Sequence, residues 1–161
     1  RGLGMGCILA AVGEMTSSGQ ASLIEGMEVR ERVELLCLMQ PGDRCAVLKC
    51  LAPHPKTETL RGMPLTELSE TIGDMTPQDQ VQSLESLTAR DRSGVLALLP
   101  PSVLSTVTPM LDPAILSASV LLLHSTDRER VTASLGSRGK IALLEALPCY
   151  ERSSVFAGMV P

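Results

Sequence analysis

The chain has 161 residues, of which 44% are apolar and 20% charged, so it is long enough to bury a sizeable core and too apolar for a disordered protein. A net charge of -4 and an aromatic content of 1% argue against nucleic-acid binding, which uses basic surfaces and stacking rings. The core must then consist of Leu, Val, Ile, Met and Ala, a set that favours helices over sheets.

A repeat of twelve residues organises the chain from its start. Every twelfth residue from Leu3 onward is Leu or Met, namely Leu3, Met15, Met27, Met39, Leu51, Met63, Met75, Leu87, Leu99, Leu111, Leu123, Leu135, Leu147 and Met159. Such regularity is typical of a solenoid. One long helix would place successive members of this series about 120° apart around its axis, without a common apolar face. We therefore predict that the chain turns back every twelve residues.

Each repeat carries its own helix signals. With the Leu or Met as repeat position one, position three is often Pro, and Thr76 and Thr88 stand where an N-cap is expected. Position five is often acidic and position six basic. We interpret the acid as a partner of the helix dipole and the base as a residue that keeps the surface neutral. Since such short helices are unstable alone, they are expected to pack on their neighbours.

The predicted fold is all-α, a right-handed α-solenoid or superhelix of about 12–13 short helices. It forms a single helical-repeat domain over residues 1–161, either complete or a fragment of a longer solenoid. The stretch from Ile24 to Pro53 matches the stretch from Ile72 to Pro101, at an offset of 48 residues. Four helices are therefore expected to form one superhelical turn or one duplication unit.

The first residues and the cysteines bear on processing and location. Residues 2–12 fit either a signal-peptide core or a first repeat, and we favour the repeat. A start at Arg1 instead of Met is expected of a processed product or a fragment. No run approaches the roughly 18 apolar residues of a transmembrane helix. The cysteines are odd in number and form no C-x-x-C pair, which predicts reduced, mostly buried thiols; they are Cys7, Cys37, Cys45, Cys50 and Cys149.

The motif from Leu87 to Pro101, L-x-x-x-D-R-x-x-V-L-x-x-L-P-P, resembles the helical N-terminal domain of MgtE-type magnesium transporters. It is more loosely similar to the middle region of the flagellar motor switch protein. Both families stack short helices that open with L-P-P-E-x-x. In the transporter family this domain precedes a nucleotide-binding-like pair of regulatory modules and a membrane region, and acidic residues at the junction bind magnesium. The resemblance thus implies a cytoplasmic magnesium-sensing domain.

No set of residues predicts catalysis or a bound cofactor. His54 and His124 lack a second ligand at metal-binding spacing and are expected on the surface. The position-five acids present carboxylates that suit magnesium, but an acid in the first helical turn is commoner as a dipole partner. The glycines at positions 2, 4 and 6 lack the preceding strand and the following Lys of a phosphate loop. We predict no enzyme, no cofactor and no metal site.

The segment from Ser93 to Thr126 departs from the repeat pattern, because Asp112 is its only formally charged residue. Positions five and six, charged in many other repeats, are apolar in two of its repeats. An apolar surface of this kind usually marks an interface. We predict a protein interface formed by Val103, Leu104, Ile115, Leu116 and Leu122.

Two functions are compatible with these features. The first is a non-catalytic helical-repeat scaffold, linker or peripheral subunit that mediates protein–protein contacts in a larger complex, an organellar membrane-associated complex included. The alternative is the magnesium-sensing regulatory domain that the resemblance implies. The expected partners are other protein subunits, with contact to a membrane complex allowed and nucleic acid disfavoured. We expect an intracellular location and leave the compartment open, organelles included.

Overall fold

The computed structural model describes the backbone of residues 5–157 and the side chains of residues 8–155. All regular structure in this range is helical, as predicted, with thirteen α-helices and one 3-10 turn, Thr108–Met110. The first six helices are α1 (Met5–Gly13), α2 (Ser17–Glu25), α3 (Val29–Cys37), α4 (Pro41–Cys50), α5 (Pro53–Gly62) and α6 (Leu65–Gly73). The other seven are α7 (Pro77–Ser86), α8 (Ala89–Leu98), α9 (Pro101–Val107), α10 (Pro113–Val120), α11 (Ser125–Ala133), α12 (Ser137–Ala146) and α13 (Cys149–Ala157).

The predicted N-caps and first-turn prolines are confirmed. Thr88 caps α8, since its hydroxyl oxygen accepts a hydrogen bond from the Asp91 backbone N–H at 3.2 Å. The same hydroxyl donates to the Asp91 carboxylate at 2.7 Å, so the acid at position five closes the cap. Thr76 and Asp79 repeat this arrangement at the start of α7. Proline occupies the first turn of α4, α5, α7, α9 and α10, where its missing N–H costs no helical bond.

The chain divides into two compact units, Arg1–Met75 and Thr76–Pro161. In the first unit α2 packs against α4, α3 against α5 and α4 against α6. In the second unit α7 packs against α9, α8 against both α10 and α11, and α10 against α12. The helices in these pairs are therefore two or three apart along the chain. The single domain over residues 1–161 and the right-handed superhelix stay predictions.

These contacts bear on the number of helices in one superhelical turn. Glu25 in α2 accepts a hydrogen bond from the Ala52 backbone N–H at 2.7 Å, just before α5, so contact with the third helix onward occurs in the first unit too. Glu85 in α7 and the Asp112 backbone N–H, just before α10, form the matching pair in the second unit at 3.5 Å. Within each unit a helix thus meets its second and third successors, which favours two to three helices per turn over the four expected.

The core follows the predicted repeat for most of the chain. Position ten is fully buried at Ile24, Leu36, Leu48, Ile72, Leu84 and Leu96, each 0% exposed. Position one is buried from Leu51 onward among the described side chains, whereas Met15 is 41% exposed. The Leu and Met series therefore marks the core in all but the first repeats.

Candidate functional site

The five residues of the predicted interface do not share one surface. Leu104 and Leu116 are 0% and 2% exposed and lie in the core of the second unit, so the expectation that they face a partner is corrected. Val103 and Ile115 are half-buried, and Leu122 is 56% exposed. The interface, reduced to these three residues, stays a prediction.

Two exposed apolar residues that share the repeat position of Leu122 were missed in the sequence. Leu98 is 52% exposed and Met110 is 45% exposed. Both occupy repeat position twelve, as Leu122 does, in three consecutive repeats. Leu98 is the last residue of α8, Leu122 lies in the turn after α10, and α8 packs against α10. We call Leu98, Met110 and Leu122 the apolar edge; their shared repeat position is the signal that could have revealed them.

Asp112, the one formally charged residue of this region, is exposed and caps a helix. The Asp112 carboxylate accepts hydrogen bonds from the Ala114 and Ile115 backbone N–H groups, at 2.8 and 3.3 Å, and so caps α10. The hydroxyls of Ser105 and Thr106 donate to the Ser102 carbonyl of their own helix. Asp112 is thus a capping residue, and the hydroxyls of α9 are bound within their own helix.

The base at position six has a different role from the predicted surface one. Arg92 in α8 is only 5% exposed. Its Nε and Nη2 donate to the carbonyls of Leu84 and Leu87, each at 2.7 Å, at the end of α7. Its Nη1 donates to the Ile115 carbonyl and the Ser119 hydroxyl, each at 3.1 Å, in α10. One guanidinium thus caps the carboxyl end of the preceding helix and joins it to the helix two positions on.

The first unit contains the same arrangement. Arg44 is 3% exposed, and its Nε donates to the Leu36 carbonyl at 2.9 Å. Its Nη1 donates to the Glu67 carbonyl at 3.1 Å and to the Thr71 hydroxyl at 2.8 Å. Arg32 bonds α5 in the same way through Nη1, although its buried Nε has no partner. The prediction that these bases keep the surface neutral is therefore wrong for the buried arginines.

A substitute appears where position six is Leu104. The carbonyls that an arginine at this position would bind belong to Leu96, Ala97 and Leu99, at the end of α8. Arg130, from α11, donates to all three of them. The end of α8 is thus capped by a residue of the third helix onward, and the core at Leu104 stays apolar.

Burial affects two titratable groups. Desolvation lowers the pKa of the Arg92 guanidinium, while the nearby Glu85 carboxylate acts in the opposite direction. Burial raises the pKa of the Cys37 thiol, so Cys37 stays protonated and unreactive at neutral pH. Cys45 is buried, but Cys50 and Cys149 are exposed, which corrects the prediction of mostly buried thiols. The side chain of Cys7 lies outside the described range.

The remaining candidates for a binding site are the two histidines, the possible metal-binding side chains and one groove. His54 and His124 are exposed, as predicted, and His54 Nδ1 lies 3.4 Å from a Glu58 carboxylate oxygen. Across the described residues no three His, Cys, Asp or Glu side chains are placed to hold a metal ion. A groove of about 240 Å³ in the second unit, lined in part by Leu116, Arg138 and Leu143, falls below the usual size of a small-molecule site.

Comparison with known families gives one match. The sequence model described as the MgtE intracellular N domain matches residues 15–112, which is more than half of the chain. The match includes Val103, Leu104 and most of the apolar edge, and it ends before Ile115. Searches of curated proteins and of solved structures gave no match. None of the helices between residues 5 and 157 has the length and apolar character needed to span a bilayer.

Proposed function

The chain belongs to the MgtE intracellular N domain family, and from this membership we propose that it is a non-catalytic, intracellular regulatory domain that responds to magnesium as part of an MgtE-type transporter. The family match carries the proposal. It supports this function, the alternative of the sequence analysis, better than a scaffold of an organellar complex. The all-helical repeat architecture is compatible with both functions.

A sensor of this kind acts through a difference in magnesium affinity between two states of the protein. A ligand that binds only the folded state raises its stability, by about 1.4 kcal/mol at ten times the dissociation constant. The carboxylates that respond need not be those of the helix starts, since Asp79, Asp91 and Asp112 already take part in caps.

Differential scanning calorimetry of the purified chain tests this proposal. We expect the unfolding temperature to rise with magnesium chloride over the millimolar range and to reach the plateau of a saturable site. Sodium chloride at matched ionic strength is the control, because it screens charges without occupying a divalent-cation site. Equal curves in the two salts would refute magnesium binding by this chain.

A second candidate function is protein–protein contact within the assembly, supported by the apolar edge. Three large exposed apolar side chains, at one position of three consecutive repeats, favour a protein partner. The segment from Ser93 to Thr126 contains no Lys or Arg, and the Arg130 guanidinium that reaches the end of α8 is bound to three carbonyls, so a lipid surface is disfavoured. The occupant we propose is another protein subunit, a membrane-complex subunit included.

Site-specific photo-crosslinking in the native host tests the apolar edge. A crosslinker at Leu122 is expected to give a covalent adduct with a partner protein. A crosslinker at Gln82, which is also exposed and lies on α7 in the same unit, is the matched control and should give none. Equal yields at the two positions would show that the apolar edge has no specific partner.

A further inference from the structure

The carboxyl ends of four helices are capped in the same way. In each, an arginine guanidinium donates to the backbone carbonyls at positions ten and eleven of one repeat and at position one of the next. Arg44 binds this set at the end of α3, Arg92 at the end of α7 and Arg128 at the end of α10, at distances between 2.7 and 3.5 Å. Arg130 binds it at the end of α8. The three carbonyls therefore form a guanidinium site that recurs along the chain.

The corresponding set at the end of α9 has no such cap. It consists of the carbonyls of Thr108, Pro109 and Leu111. Within residues 8–155, no side chain donates a hydrogen bond to these three carbonyls. All three residues line the groove of about 240 Å³ in the second unit. This groove therefore lies where the other helix ends hold a guanidinium.

The groove is open because both positions that supply a capping arginine are apolar here. Such an arginine comes from position six of the next repeat, as Arg92 does, or from position eight of the third repeat onward, as Arg130 does. For α9 these two positions hold Leu116 and Ala142. Both residues line the groove, and neither side chain has a hydrogen-bond donor.

We infer that the groove at the end of α9 binds a guanidinium group carried on a short alkyl stem. A guanidinium presents its N–H donors in one plane, which suits a set of carbonyls that is bound in this way at the other helix ends. The alkyl stem packs against Leu116, Leu135 and Leu143, which also line the groove. The volume is small for a drug-sized ligand and sufficient for a group of this size.

The lining favours this ligand over a metal ion or an anion. Magnesium and calcium bind carboxylate oxygens, and none of the described lining residues is Asp or Glu. An anion would face the negative end of the α9 dipole. Arg138, the one charged lining residue, is exposed, so solvent and salt screen its repulsion of a cation. Magnesium sensing does not require this groove, so the two proposals can fail separately.

An NMR titration of the backbone amides of the intact 161-residue protein with L-arginine tests the inference. We expect saturable shift changes at the amides of Leu111, Gly139 and Ala142, which line the groove. L-lysine has the charge without the planar fork, and L-citrulline has the shape without the charge, so each should bind at least tenfold more weakly. Absence of saturable changes at these amides, equal affinities for the three compounds, or the same changes with magnesium chloride overturns the proposal.

Ala142→Arg tests the groove from within the chain. The new side chain stands where Arg130 stands one repeat earlier, so it should cap α9 itself and abolish the binding of L-arginine. Ala118→Arg, the same substitution at position eight of α10, is the matched control and leaves the affinity unchanged, because Arg92 already binds the carbonyls within its reach at the end of α7. Equal affinities of the two variants would contradict the inference. The comparison of the three amino acids needs no variant, so it decides the matter even if Ala142→Arg fails to fold by circular dichroism.

A further probe identifies the source of the guanidinium group. The acetylated and amidated peptide Gly-Arg-Gly presents the arginine side chain of a protein without a free carboxylate. Tighter binding of this peptide than of L-arginine identifies a protein side chain as the source. Tighter binding of L-arginine, reduced by Arg138→Met to the affinity of the peptide, identifies a free guanidino acid whose carboxylate pairs with Arg138. Binding of neither compound overturns the proposal.

Discussion

Two neighbouring helix pairs of the second unit fill the same repeat positions with opposite chemistry. Between α8 and α10, position six is Arg92 and the facing position nine is Ser119, joined by a hydrogen bond of 3.1 Å. Between α10 and α12, the same two positions are Leu116 and Leu143, which are 2% and 0% exposed. Position six is therefore buried in both pairs, and the two chosen residues match each other in polarity.

The match extends to the caps of the preceding helices. A buried guanidinium is tolerated because helix-end carbonyls, which lack intrahelical partners, accept its hydrogen bonds. Where Leu104 replaces the arginine, Arg130 supplies those bonds from another helix. Before Leu116 the chain instead ends α9 in the 3-10 turn Thr108–Met110, and the Leu111 backbone N–H donates to the Val107 carbonyl at 3.2 Å. Loss of the arginine thus requires another solution at the helix end as well as an apolar neighbour.

The largest expected effect comes from placing a charge in the apolar pair. Leu116→Asp places a carboxylate opposite Leu143, in a core position that is 2% exposed, and should lower the free energy of unfolding by on the order of 4 kcal/mol. Urea denaturation followed by far-UV circular dichroism measures this. Leu122→Asp, beyond the end of α10 and exposed, is the control and should change the free energy of unfolding by less than about 0.5 kcal/mol.

These two variants also test whether Leu116 lies in the core or on the surface. If Leu116→Asp were as stable as Leu122→Asp, Leu116 would face solvent and the five-residue interface predicted from the sequence would stand. The buried position of Leu116 predicts instead that any partner binding lost in Leu116→Asp is lost through unfolding, whereas Leu122→Asp tests contact with a folded domain.

The fold was predictable because its signals are local. The Leu and Met series, the prolines at position three and caps such as Thr88 each lie within one repeat and fix where a helix begins and how long it is. Which helices pack together was harder to predict, because contact with the second or third helix onward depends on how tightly the chain coils. That property is set by side-chain packing between helices and has no motif in a single repeat.

The role of position six could not be read from one repeat either. An acid followed by an arginine is typical of an exposed helix start, so Arg44 and Arg92 were interpreted as solvated, and Leu104 and Leu116 as a lost solvated face. The informative signal lies 27 residues away, where Arg44 and Arg92 face the hydroxyls of Thr71 and Ser119. Comparing residue pairs at that separation would have placed Leu116 in the core with Leu143.

The smaller expected effect comes from converting the polar pair into the apolar one. Arg92→Leu removes a buried cation and leaves the Leu84 and Leu87 carbonyls without their donor, which should lower the free energy of unfolding by about 3 kcal/mol. Ser119→Val should lower it by about 1 kcal/mol, since Arg92 then loses one acceptor.

The double variant Arg92→Leu with Ser119→Val decides whether the two residues act as a unit. The new pair resembles Leu116 and Leu143, so its loss should be smaller than the sum of the single losses by at least about 1 kcal/mol. Recovery stays incomplete, because α7 has neither a second arginine such as Arg130 nor a following 3-10 turn to cap its carbonyls. Strictly additive losses in urea denaturation would show that the polarity match between the two positions has no energetic basis. Full recovery would show that the caps, rather than the pair, contribute little to stability.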